Sequence, residues 1–246
     1  MAFTRRHLIR LVLPFAAALA FVFFPLHAAA QEAGRVFSVL ATSDADWKGL
    51  GVLDGNSFVP VTPSRQRRST PHSLSGGSAH VDFVRQTLDP ATGKTVHTPA
   101  ARVAWPTGAR RALFVLVPRA GGLDVLACDD GLETFPPESV RVFNATRATF
   151  QGLLGRERMS FAPGASAPVR STAFIPPDEN APDPGMPVGL ALATPGGMKT
   201  LYAASMSVSP RARVLVVVGP PKVAGSDRVQ VRAIHEVPPA TPPSAR

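Results

Sequence analysis

Apolar and polar positions along this chain trade places at a spacing near two, the period of a β-strand. Arg35 to Thr42 sets Val36, Ser38 and Leu40 against Phe37, Val39 and Ala41, so both faces are largely apolar and the strand reads as buried on both sides. Gly51-Val52-Leu53 and Phe58 to Val61 flank Asp54-Gly55-Asn56-Ser57. Asp-Gly between apolar runs predicts a hairpin, and Pro60 puts its second arm at a sheet edge. From Ala79 to Gln86, Val81 and Phe83 share one face, and His80, Asp82 and Val84 the other. Leu113 to Val117 is a continuous apolar run, as expected of a central strand. It should pair with Leu123 to Cys128 across Pro118 to Gly122.

After Pro136-Pro137 the pattern restarts. Ser139 to Asn144 and Thr149 to Leu154 read as two paired strands, and Val169 to Ile175 as another. Val188 to Ala193, Leu201 to Val208, Val214 to Val218 and Arg228 to Ile234 follow, the last two as a hairpin. No amphipathic helical pattern reaches even about 12 residues. Roughly a dozen short strands at close spacing predict an all-β fold. The expectation is an antiparallel, immunoglobulin-like β-sandwich over residues 31–236, either one sandwich or two small ones meeting near residue 136. No repeat in the sequence decides between them. Residues 237–246, with four prolines, read as a disordered tail.

Composition agrees with many turns: 26 of the 246 residues are proline and 20 are glycine. The N-terminus reads as a signal peptide over residues 1–30. Arg5, Arg6 and Arg10 come first, then an apolar stretch from Leu11 to Leu26, then Ala28-Ala29-Ala30 as the cleavage site. If the signal is cleaved, no transmembrane anchor remains. The predicted location is periplasmic or secreted. The route is either the general secretory one or, given Arg5-Arg6, the twin-arginine one. Three arginines and no acid leave with the signal, so the formal charge of +9 falls to +6. That mild, scattered excess of base does not describe a nucleic-acid binder.

Candidate chemistry is sparse. The one cysteine, Cys128, rules out an internal disulfide and reads as a buried small hydrophobe. His80 and Asp82 lie two apart and share a strand face, but a metal site needs a third ligand from elsewhere. The acidic loop Asp178 to Asp183 lacks the spacing of a calcium loop. Asp129-Asp130-Gly131 reads as a turn. Asn144-Ala145-Thr146 fits a glycosylation sequon and reads as a strand end. No Ser, Gly-rich or Cys motif of a hydrolase or phosphate-binding enzyme is present. Arg65, Arg67 and Arg68 form the densest basic cluster and read as a solvated loop. Trp47 and Trp105 read as core aromatics or, with those arginines, as a polysaccharide-binding surface.

From Arg111 to Ile234 the order of motifs resembles a group of uncharacterised exported bacterial β-rich proteins. The marks are Ala112 to Val117, the acidic turn Asp129-Asp130, Phe135-Pro136 leading into Val140 to Thr146, and Arg213 to Val218. The resemblance implies an exported β domain and transfers no catalytic residue. The sequence therefore predicts a non-catalytic exported protein, without cofactor or metal, that binds or scaffolds an envelope protein or polysaccharide. The alternatives are a dedicated carbohydrate-binding module and a hydrolytic or metal-dependent enzyme built around His80 and Asp82.

Overall fold

The computed structural model describes residues 34–170, 185–206, 209, 211–223, 226 and 228–238. The signal segment, Ser171 to Ile175, the acidic loop Asp178 to Asp183 and the tail from Pro239 lie outside the described residues. Every regular element among the described residues is a strand. In chain order these are β1 (Arg35–Ala41), β2 (Leu50–Asp54), β3 (Ser57–Pro60), β4 (His72–Leu74), β5 (His80–Leu88), β6 (Thr95–Ala104), β7 (Arg111–Arg119) and β8 (Gly122–Asp129). Then follow β9 (Ser139–Asn144), β10 (Phe150–Leu154), β11 (Glu157–Phe161), β12 (Gly164–Ala165), β13 (Val169–Arg170), β14 (Met186–Thr194), β15 (Gly197–Met206), β16 (Arg213–Gly219) and β17 (Gln230–Glu236).

They form four sheets, ordered β4-β1-β7-β8, β3-β2-β5-β6, β12-β9-β16-β17 (with β13 also on β9) and β11-β10-β14-β15. The pairs β1/β7 and β9/β16 are parallel, and every other pair is antiparallel. Strands β9 to β17 thus repeat the pairings of β1 to β8. The repetition reaches individual bonds. The amide of Val39 donates to the Ser69 hydroxyl at 3.0 Å, and the Ser69 amide donates back to the Val39 carbonyl at 2.9 Å. Val142 and Ser166 make the same two bonds at 3.1 and 2.8 Å. The hairpins β2/β3 and β10/β11 both turn on a glycine in the left-handed region, Gly55 at φ 61° and Gly155 at φ 66°, where a Cβ would be strained.

Alternation along β7 explains how the sheets stack. Ala112, Phe114 and Leu116 join one apolar core with Phe37, Val52 and Phe83, between the sheets of the first half. Leu113, Val115 and Val117 point the other way. Along β16, Val214, Val216 and Val218 join the core of the second half with Phe150, Val188 and Leu190. Leu215 and Val217 face β7 across a third core. The order is therefore outer sheet, inner sheet, inner sheet, outer sheet. The continuous apolar runs in β7 and β16 follow from burial on both faces. The result is all-β and sandwich-like, built from two sandwiches that share a middle core.

One expected pairing is corrected. Ser139–Asn144 (β9) and the segment ending at Leu154 (β10) do not pair with each other: they lie in different sheets of the second half. The corner between them is held by Asn144. Its Nδ2 donates to the carbonyls of Ala148 (2.6 Å) and Phe161 (2.9 Å), and its Oδ1 accepts from the amide and hydroxyl of Thr146 (2.9 and 2.7 Å). With these bonds the chain leaves one sheet and enters the other. Val84, expected on a polar face, is buried, and beside it the β5/β6 ladder shifts register, with Ala100 of β6 as the extra residue. The hairpins β2/β3, β7/β8 and β16/β17 pair as their sequences indicate, with Pro60 on the edge strand β3.

Candidate functional site

Among the described residues, the middle core carries the densest cluster of charged side chains. β8 ends at Asp129 and β17 at Glu236, and the ladders align Asp129 with Ala112 and His235 with Val214. Asp130 and Glu236 therefore occupy equivalent positions in the two halves. Two arginines join them. Arg68 reaches Asp130 Oδ2 through Nη1 and Glu236 Oε1 through Nη2, both at 2.6 Å. Arg213 reaches Asp130 Oδ1 through Nη2 at 3.0 Å and Glu236 Oε1 through Nε at 2.8 Å. The four side chains close a ring. Arg213 and Asp130 expose 3% and 5% of their side chains, so the ring lies in a medium where unpaired charge is costly.

Further bonds tie the cluster to the backbone. Arg213 Nη1 donates to the carbonyls of Phe135 (2.9 Å) and Asp130 (3.3 Å). Arg141, on the fully buried strand β9, donates to the carbonyls of Asp129 (2.9 Å) and Thr134. Both guanidiniums lie over the Phe135 ring, at 4.6 and 4.7 Å. Burial lowers the Arg141 pKa. Burial also raises the Glu236 carboxyl above its ordinary range, with Arg68 and Arg213 pulling the other way. Cys128 sits in this core, where burial pushes its thiol up to about 11. It is the buried small hydrophobe its sequence suggested and a poor nucleophile.

The other sequence candidates scatter. His80 is exposed, and Asp82 lies 3.5 Å from Arg102. Among the described residues no three His, Cys, Asp or Glu side chains gather as metal ligands would. Trp105 is buried, its Nε1 donating to the Ala109 carbonyl at 2.8 Å, with Arg35 against its ring. Trp47 is half-buried against the first core. The cluster Arg65, Arg67, Arg68 is not one solvated loop. Arg68 is in the ring, Arg65 pairs with Asp44 at 3.2 Å, and Arg67 is exposed. Asp129 makes the expected turn, accepting from the Gly131 amide (2.8 Å) and the Thr134 hydroxyl (2.5 Å). Its neighbour Asp130 does not belong to that turn alone, because the ring claims it. The sequence held one hint of the charged cluster: Arg141, which lies beside the ring, stands between Val140 and Val142 in an apolar run.

The middle core opens to the surface along two seams, and these differ. Val115 pairs with Leu126 as Val217 pairs with Arg232, so Leu126 and Arg232 are equivalent. Thr42 and Ala145 are likewise equivalent, since their amides donate to the matching carbonyls of Leu116 and Val218. At one seam Arg232 donates to the carbonyls of Arg65 (2.6 Å), Thr42 (2.8 Å) and Ala41 (3.2 Å), sealing the halves together. At the other, Leu126 and Ala145 line an open cleft of about 570 Å³. Arg102, Arg119, Arg147 and Asp124 stand around it. A second depression, at the far end of β5, includes Arg85, whose guanidinium is bonded to the carbonyls of Asp46 (2.9 Å) and Lys48 (3.2 Å).

Compared with known proteins, the chain matches no family model and no curated relative.

Proposed function

We propose that this chain is an exported, non-catalytic β protein that binds or scaffolds a partner at the cell envelope. One observation carries the reading. Among the described residues, the charged groups gathered most closely, Asp130, Glu236, Arg68 and Arg213, are turned inward and hold the two halves together. Catalysis needs such groups aimed at a reacting atom. Bonded to one another in a core, they supply rigidity instead. The signal-like segment over residues 1–30 supports export, and a double sandwich with a preformed cleft supports binding.

Incubating the purified chain from Gln31 with envelope fractions tests this. The expected result is retention on envelope material with no change in that material's mass. Turnover of any substrate, lost on a single polar substitution, would overturn the reading. Fusing residues 1–34 to a reporter that is active only when exported folded tests the location, with export of active reporter as the expected result. A reporter that stays inside the cell would remove the envelope from the proposal.

A further inference from the structure

We infer that the open seam between the two halves is a binding site for a carboxylate-bearing oligosaccharide. This rests on the binding role proposed above and names its ligand.

The first argument is the asymmetry between the seams. The fold makes two equivalent seams, and Arg232 shows that one arginine on the last strand of a half can seal one with three bonds to carbonyls. Leu126 occupies that strand position in the other half and leaves the seam open. The opening is therefore a matter of side-chain choice, not a geometric necessity of packing two sandwiches.

The second argument is charge. Three guanidiniums stand around the cleft from three separate segments: Arg102 on β6, Arg119 on β7 and Arg147 after β9. Asp124 pairs with Arg119 at 2.7 Å and Asp82 lies 3.5 Å from Arg102, so both of these guanidiniums already have a carboxylate partner. Arg147 is exposed and has no charge partner among the described residues. Guanidinium groups take carboxylates through two parallel hydrogen bonds. Leu123, Val125 and Leu126 supply half-buried apolar lining between the arginines, which suits the C–H face of a sugar ring. A ligand with carboxylates on an otherwise ring-like body answers both features. A small hydrated anion answers only the first.

The test is calorimetric titration of the chain from Gln31 with trigalacturonate, and with neutral galactotriose and inorganic phosphate as comparison ligands. Trigalacturonate should bind, and the other two should not. Arg147→Ala should weaken trigalacturonate about fivefold, the effect of one exposed charge contact. Arg147→Glu should weaken it further. Leu126→Arg, which places at this seam the residue that closes the other, should abolish binding with the thermal midpoint retained. If that variant unfolds, Arg147→Glu decides alone. Arg67→Ala, an exposed arginine elsewhere, should change nothing.

The inference is overturned if trigalacturonate does not bind, or if either comparison ligand binds as tightly. It is equally overturned if Arg147→Glu leaves binding intact, or if Arg67→Ala weakens it as much as Arg147→Ala does. Such a failure leaves retention on envelope fractions unaffected, so it is distinguishable from failure of the broader proposal.

Discussion

Asp130 is the more buried acid of the ring and is paired with both of its arginines. Its removal leaves Arg68 and Arg213 sharing one carboxylate in a dry setting. Asp130→Ala should cost about 3–5 kcal/mol of folding stability by urea denaturation, the range for breaking one side of a buried ion pair. Cys128, nearby, should resist iodoacetamide at about pH 8 in the folded protein and react once denaturant is added, because a thiol titrating near 11 is scarcely ionised there. His72 stacks on Phe37 with ring centroids 5.1 Å apart, and burial lowers its pKa below 6.5. The unfolded chain then binds this proton more readily than the folded one. Stability from His72 is complete above 6.5 and falls as pH drops toward the lowered value. Urea midpoints measured on either side of 6.5 should drop on acidification, and His72→Phe should shrink that drop. Glu236, raised by burial, acts in the opposite sense: its protonation favours the folded form.

Among the elements, β7 bears the most. Phe114 packs edge-on against Phe37, Phe83 and Trp105, with centroids at 5.6, 5.5 and 5.7 Å. Phe114→Ala should cost about 3–5 kcal/mol in the same denaturation assay, since three rings cannot close over the space left. β7 was legible in its sequence because a strand apolar on both faces can sit stably only between two other layers. The hairpins were legible because their turn residues and arms are neighbours in sequence. What escaped is non-local. β9 lies parallel to β16, some seventy residues on, with Val140 opposite Val214, and no local pattern names that partner. Arg68, Asp130, Arg213 and Glu236 come from four separate segments, and each alone looks like a surface charge. The seam was hidden for the same reason, since Leu126 and Arg232 become comparable only once both ladders are known.

At the scale of the whole molecule, the shared middle core should make the halves unfold together. The chain carries its own reporters. Both tryptophans, Trp47 and Trp105, lie in the first half, and the single tyrosine, Tyr202, lies in the second. Tryptophan fluorescence and tyrosine near-ultraviolet absorbance should give coincident denaturation curves. Leu215→Glu, which puts a charge into the middle core, should lower both midpoints and separate them. Coincident curves in that variant would mean that the coupling runs through the ionic ring instead of the apolar contact.

Across the middle core, like meets like: Leu40 and Phe143, Leu113 and Leu215, and Cys128 and Ile234 are equivalent positions on facing sheets. An assembly of two identical subunits meeting this way obeys a strict rule, because whatever stands at one edge of their interface stands at the other too. Joining both subunits in one polypeptide lifts that rule. Positions 126 and 232 answer to separate codons, so selection can tighten one edge with arginine and keep leucine at the other. A fused pair can thus divide labour in a way its unfused counterpart cannot, with one side made a weld and the other left a doorway.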